Sequence, residues 1–205
     1  MIKINETNDI NTTTGQMNLI FKARIFWRDS ATWMRAYIIS TEEGLEIKDA
    51  IMQRLYKLPI EFGNILRMFF GDQVTDNYTK LLSDYITSLK SLLDAQKNGD
   101  DYAINESTRQ LHENIDQRAA ILSKINPFWQ ESEWKALFDK FLDLTINEST
   151  TLLSNDYVRN IEIFDRLLSH TTLMGDYFSD GLYKYITFNS RQPQIPKQWY
   201  SCGML

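Results

Sequence analysis

The sequence contains very little cysteine, histidine, proline and glycine. Its single cysteine, Cys202, excludes an intrachain disulfide framework and a cysteine-based zinc site. The only two histidines, His112 and His170, are too few for a histidine-rich metal or catalytic centre. Four prolines and eight glycines among 205 residues leave long stretches without a helix breaker. These absences favour long uninterrupted helices.

Positive charge, long apolar runs and catalytic motifs are also scarce. Lys and Arg total 22 against 27 Asp and Glu, and this net charge of −5 disfavours nucleic acids and anionic membranes as partners. No window holds 18 consecutive apolar residues, and residues 1–16 contain no apolar signal core, so we expect a cytoplasmic protein. There is no Gly-rich phosphate loop and no nucleophile elbow. The sequence therefore gives catalysis no positive support, and we predict no cofactor.

What the sequence does contain is helical periodicity. Apolar residues make up 43% and charged residues 24% of the chain, as in ordinary globular proteins. In the first segment the inward positions recur at alternating steps of three and four, which defines one face of a helix. That face is formed by Leu19, Ala23, Phe26, Ser30, Trp33 and Tyr37. No stretch alternates with the period of two that a strand requires.

The helix boundaries follow from local stop and start signals. Pro59 is expected to cut the second helix, Gly71 to end the third, and Asp72 to cap the fourth. Asn98-Gly99-Asp100 combines a stop with a new N-cap. The predicted helices cover residues 17–41, 45–58, 60–70, 72–97, 101–125, 131–153 and 156–187.

We predict an all-α fold in which five or six helices form one antiparallel bundle, with a ferritin-like four-helix core as one candidate arrangement. The single domain spans residues 1–188, and its first 16 residues are frayed. Residues 189–205 lack helical periodicity and are predicted to form an extended tail.

Several short motifs lie in order along most of the chain, from about Phe21 to Ile186. They are Trp33-Met34-Arg35, Ile38-Ile39-Ser40, Asn114-Ile115-Asp116, Asn126-Pro127-Phe128-Trp129, Glu133-Trp134, Leu144-Thr145, Asp165, Met174, Asp176 and Gly181. In these motifs the chain resembles a family of uncharacterised helical proteins from spore-forming Gram-positive bacteria. The resemblance implies a helical bundle with no established activity.

The departures from that family concern four inward positions. The resemblance implies histidines where this chain has Ser30, Tyr85 and Phe141, and an acidic residue where it has Leu168. Histidines and carboxylates that converge in a bundle core build the metal sites of ferritin-like proteins. We therefore predict that these four positions form a vestigial core site, mutually close, buried and metal-free, with the Tyr85 hydroxyl directed at Ser30. The candidate second shell of that site is Asp116, Asp165 and Asp176.

Three hypotheses about function are open at this point. The leading one is a non-catalytic bundle that acts through protein contacts or as a structural accessory, with a homodimer as a candidate assembly. The second is a metal-binding protein or metalloenzyme of ferritin-like type with a displaced site. Its ligands would be His112, Asp116, Asp165, His170 and Asp176. The third is a bundle that binds a small apolar ligand, because aromatic residues reach 13% and line either a core or a pocket.

Overall fold

The computed structural model describes residues 14–191, with side chains described through residue 188. Every regular element within this range is a helix, which confirms the predicted all-α bundle. Residues 14–191 form seven helical segments, or six if the interrupted pair α2 and α3 is counted as one. They are α1 (Thr14–Glu42), α2 (Lys48–Leu55), α3 (Leu58–Phe70), α4 (Asp72–Asn98), α5 (Asp101–Ile125), α6 (Glu131–Leu153) and α7 (Tyr157–Arg191).

Two predicted boundary signals act differently from what we expected. The break between α2 and α3 lies at Tyr56 and Lys57, so Pro59 does not cut a helix. Pro59 instead occupies the first turn of α3, where its missing N–H has no intrahelical partner to lose. The N-cap of α4 is Gly71, not Asp72, which is already helical. The Asp72 carboxylate lies 2.8 Å from Nε of Arg67.

The signals around α5 are confirmed. Gly99 adopts a left-handed conformation with φ of 67° at the end of α4. The Asp100 carboxylate accepts a hydrogen bond of 3.0 Å from the backbone N–H of Ala103, which makes Asp100 a side-chain N-cap. The helix ends at Ile125, as Asn126-Pro127 predicts.

The two ends of the described chain are more helical than predicted. α1 begins at Thr14, inside the segment expected to be frayed. α7 continues to Arg191, so residues 189–191 are helical and do not belong to an extended tail. The remainder of both predicted terminal segments, residues 1–13 and 192–205, lies outside the described residues.

α1 runs antiparallel to α7, because Arg24 meets Asp176 and Arg35 meets Asn160. α1 is held against α7 by Arg24, whose guanidinium pairs with Asp176 at 2.5 Å and 2.8 Å. Gly175 lies at the same level, and a Cβ built there would be only 2.8 Å from the Arg24 backbone. α1 and α7 can approach this closely because Gly175 has no side chain. Within residues 14–191, no helix is both long enough and apolar enough to cross a membrane.

Aromatic rings fill much of the interior. Trp129 stacks on Phe178 with ring centroids 5.2 Å apart, and Trp134 stacks on Phe138 at 5.1 Å. Trp27 packs against Trp134 and Phe138 with its ring plane tilted by 37° and 47° from theirs. Most of the aromatic content therefore forms core, which is the more ordinary role of such rings.

The inward face of α7 is rotated slightly from the predicted one. Helical spacing in the sequence predicts Ile161, Phe164 and Leu168 on the inward face of α7, but the side chain of Ile161 is exposed. The buried positions of this helix instead follow steps of three and four through Asn160, Ile163, Leu167, Thr171, Met174 and Phe178. Leu168 consequently lies at the margin of the core and is half-buried.

Candidate functional site

A small cavity lies in the bundle between α1, α4, α5 and α6. Its free volume is about 40 Å³, and Ser30, Tyr85 and Phe141 all line it. These are three of the four positions predicted for the vestigial core site. The cavity wall is otherwise formed mainly by apolar side chains, among them Phe26, Met34, Leu82, Ile86, Phe138 and Met174.

The fourth predicted position, Leu168, does not line the cavity. It lies on α7, whose inward face at this level is formed by Leu167 and Thr171. The Leu168 carbonyl accepts a hydrogen bond of 2.7 Å from the Thr171 hydroxyl. The structure therefore brings together Ser30, Tyr85 and Phe141 and leaves Leu168 at the edge of the core.

The predicted contact between the hydroxyl groups of Ser30 and Tyr85 does not form a hydrogen bond. The Ser30 hydroxyl donates to the backbone carbonyl of Phe26 at 2.8 Å, one turn earlier in α1. A serine in a helix readily makes this bond because the i−4 carbonyl lies within reach. Burial raises the pKa of Tyr85 to about 12, with the nearby Arg118 charge opposing the rise. Tyr85 therefore presents a neutral phenol at physiological pH.

Arg118 is the unusual member of the cavity wall. Arg118 is only 3% exposed. In the described part of the chain, no carboxylate lies within ion-pair distance of its guanidinium. The Nε–H donates to Oδ1 of Asn114 at 2.8 Å, and the Asn114 amide in turn donates to the Leu81 carbonyl at 2.7 Å. Asn114 therefore fixes the direction of the guanidinium within α5.

Two aromatic rings pack against that guanidinium. Its central carbon lies 4.4 Å from the ring centre of Tyr85 and 4.3 Å from that of Phe138. Such cation–π contacts offset part of the cost of burying a charge. The Tyr78 hydroxyl is close enough for Arg118 to oppose the burial-driven rise in the Tyr78 pKa, but it has no hydrogen-bond partner at normal geometry.

The predicted pair of His112 and Asp116 connects two helices. Nδ1 of His112 lies 3.0 Å from Asp139 on α6, while Asp116 pairs with Lys135, one turn earlier on α6. Two residues spaced by four on α5 thus meet two residues spaced by four on an antiparallel α6. Their partners are charges on the neighbouring helix, and neither His112 nor Asp116 lines the cavity.

The other candidate ligands are also dispersed. Asp176 pairs with Arg24, and the His170 Nε2–H donates to the Leu137 carbonyl at 2.8 Å, which leaves Nδ1 as the acceptor. Burial lowers the pKa of His170. Asp165 lines a shallow surface groove together with His170. Among residues 14–191, no group of three or more His, Cys, Asp or Glu side chains is placed to share a metal ion.

A second buried polar cluster joins α1, α6 and α7. Arg35 pairs with Glu148, whose side chain is 1% exposed, and also donates to Oδ1 of Asn160 at 2.9 Å. Burial raises the pKa of Glu148 to about 7, with Arg35 opposing the rise. The Asn160 amide donates to the Glu148 carbonyl at 2.7 Å, which ties the start of α7 to α6.

Sequence reasoning did not identify Arg118 or the partner of Glu148. A signal existed for each. Glu148 follows Phe141 by seven residues and Leu144 by four, so helical spacing predicts it on the inward face of α6, where a carboxylate needs a partner. Arg118 follows Leu111 by seven residues and precedes Leu122 by four, so helical spacing places it on the buried face of α5.

No protein-family model matches the chain. No curated protein and no solved structure is significantly similar to it. Its function is therefore inferred from the contacts that its own residues make.

Proposed function

We propose that this protein is a non-catalytic helical bundle that binds a small ligand in the cavity between α1, α4, α5 and α6. The observation that carries the proposal is the juxtaposition of free space with the buried cation Arg118. A void with no role would be expected to close or to be lined only by apolar groups, since empty space forfeits packing contacts. A polar donor that borders free space is typical of a binding site, in which mostly apolar walls hold a few placed polar groups.

The chemistry around the cavity supports binding without catalysis. Ser30 donates its proton to a backbone carbonyl, and neither His112 nor His170 lines the cavity to act as its base. Tyr85 has a pKa near 12, which is far from the value that suits a general base at neutral pH. A structural accessory role remains compatible with this arrangement. Turnover in a broad screen for hydrolase, transferase and oxidase activity would contradict the proposal.

The binding proposal is tested by filling the cavity. We expect ligand-observed NMR with a library of small fragments to detect binders for the natural protein and to lose them for Ser30→Met. The matched control is Thr32→Met, because Thr32 lies on the exposed side of α1 and its hydroxyl makes the same i−4 bond, to Arg28 at 2.9 Å. Binders that survive Ser30→Met, or that disappear equally with Thr32→Met, would contradict the assignment of the cavity.

Self-association is a second candidate function, consistent with the predicted homodimer. Met17, Phe21 and Ile25 recur every four residues on α1, and all three side chains are exposed. Exposed apolar residues in one row favour a protein contact. Sedimentation should show a concentration-dependent dimer that Phe21→Glu weakens. Asn18→Glu introduces the same charge at a neighbouring exposed position and should leave the dimer intact.

Three further proposals come from the sequence. The bundle would belong with the spore-former helical family that it resembles, and the grouping of Ser30, Tyr85 and Phe141 around one cavity supports this. A cytoplasmic location in a bacterium is proposed on the same basis. A metalloprotein with a displaced site is the alternative, and stoichiometric iron, manganese or zinc in protein purified without chelators would favour it over the binding bundle.

A further inference from the structure

Arg118 has more hydrogen-bond donors than acceptors around it. A guanidinium carries five N–H bonds in one plane. The Nε–H donates to Asn114, and the Tyr78 hydroxyl lies near the guanidinium, but within residues 14–191 no acceptor forms a hydrogen bond of normal geometry with either terminal nitrogen. Tyr85 and Phe138 pack against the guanidinium, and a further hydrogen-bond acceptor must lie at its edge, because all of its N–H bonds point outward in the plane of the group.

Its charge is also uncompensated within the described chain. One carboxylate near the cavity is that of Asp139, which is close enough to Tyr85 to help raise the Tyr85 pKa. Asp139, however, is engaged by His112 at 3.0 Å and lies 3.9 Å from Lys135. Burying an ion without a counter-ion is costly even after relaxation and water penetration. An anion in the cavity would neutralise the charge of Arg118 and accept hydrogen bonds from its unpaired N–H groups.

We propose that the cavity binds a small monoanion, and that a short monocarboxylate of the size of formate or acetate fits it best. This inference rests on the proposed ligand-binding function and names the class of ligand. A carboxylate matches the guanidinium edge because its two oxygens accept two parallel N–H bonds in the same plane. The apolar wall around Phe141 and Met174 then receives the hydrogen or methyl group of the ligand.

The size of the cavity sets the upper limit on the ligand. An apolar cavity of about 150 Å³ accepts benzene, and about 10–15 Å³ is needed for one water. A free volume of about 40 Å³ therefore admits a few non-hydrogen atoms and excludes an aromatic acid or a long acyl chain. Water molecules at the guanidinium edge are the competing occupants.

Acetate and acetamide provide a direct test, since they share shape and size and differ in charge. The indole N–H signal of Trp27, which lines the cavity, reports occupancy in a titration of the ¹⁵N-labelled protein. We expect acetate to bind at least about tenfold more tightly than acetamide, as hydrogen bonds to charged groups are worth more than neutral ones. Arg118→Met should remove this preference. Arg118→Lys should retain the preference but bind acetate more weakly, because an ammonium cannot donate two parallel hydrogen bonds in one plane.

The matched control is Arg109→Met on the same helix. Arg109 is exposed and paired with Glu106 and Glu113, so its removal changes the net charge without touching the cavity. Equal binding of acetate and acetamide would overturn the anion class and leave the binding function standing. Binding of neither compound, together with failure of the fragment screen, would overturn the binding function itself. The carboxylate site would be overturned if Arg109→Met lost as much acetate affinity as Arg118→Met. It would also be overturned if the natural protein bound chloride more tightly than acetate.

Discussion

Arg35 on α1 and Glu148 on α6 form an ion pair that is largely removed from water, since the Glu148 side chain is 1% exposed and that of Arg35 is 20% exposed. One carboxylate oxygen, Oε1, contacts Arg35, while Oε2 is buried without a hydrogen-bond partner. The pair therefore compensates only part of the cost of burying the carboxylate. This explains why the pKa of Glu148 is raised despite the adjacent cation.

The raised pKa of Glu148 predicts a pH-dependent stability. In the folded protein the group titrates near pH 7, whereas in the unfolded chain it titrates at its ordinary value of 4.5. Between these values the folded state holds a proton that the unfolded state has released, so the contribution of Glu148 falls as pH rises. We expect that loss to approach about 1.4 kcal/mol per pH unit. Urea unfolding at several pH values measures it.

Glu148→Gln isolates this effect, because glutamine has nearly the same shape and does not titrate. Between pH 4.5 and 7 the free energy of unfolding of the variant should decline less steeply than that of the natural protein. Glu113→Gln removes an exposed carboxylate and should leave the slope almost unchanged. Parallel curves for the natural protein and Glu148→Gln would refute the assigned titration.

A second prediction concerns Asn114, which accepts the Nε–H of Arg118 at 2.8 Å. Asn114→Asp keeps the hydrogen-bond acceptor for Arg118 and adds a negative charge beside it. The attraction between Arg118 and a bound anion should therefore be weaker. We expect acetate affinity to fall about tenfold or more. Asn105→Asp adds the same charge at an exposed position of α5 and should have little effect. Unchanged acetate binding in Asn114→Asp would mean that Arg118 does not hold the anion.

A third prediction follows from the close approach of α1 and α7. Gly175→Ala places a methyl group 2.8 Å from the backbone of Arg24, and backbone cannot move aside as a flexible side chain can. We expect a loss of about 1–3 kcal/mol, the usual cost of overpacking. Gly15→Ala meets no atom within 4 Å and should be neutral or slightly stabilising, since alanine is the better helix former. Thermal unfolding of the two variants gives the comparison.

A fourth prediction tests the start of α5. Asp100→Ala removes the acceptor for the Ala103 N–H and should cost about 1 kcal/mol of stability. Asp100→Asn preserves an acceptor at the N-cap and should lose little by comparison. Chemical denaturation of both variants measures the difference. If Asp100→Ala and Asp100→Asn were equally stable, the hydrogen bond to Ala103 would not contribute to capping.

The sequence by itself determined the helices and most of their ends. The start of α5 at Asp100 and its end before Asn126 were predictable, because capping and breaking depend on residues adjacent in the chain. The burial of Ala23, Ser30 and Tyr37 was likewise predictable from spacing, since a helix repeats every 3.6 residues. Periodicity places Ser30, Tyr85 and Phe141 on inward faces, and the family resemblance implies that they share one site; in the structure all three line one cavity.

Only the tertiary structure decided which polar groups meet. His112 pairs with Asp139 and not with Asp116, four residues along its own helix, because the register of α5 against α6 brings Asp139 opposite it. A small rotation of α7 turns Leu167 inward and leaves Leu168 at the margin of the core. Helical periodicity predicts which side of a helix is buried with an error of about one residue. The partners of a side chain on other helices depend on how those helices rotate and shift against one another. Helical spacing indicates that Arg118 is buried, but the rings around its guanidinium and the space beside it arise from the packing of different helices, which local sequence patterns do not encode.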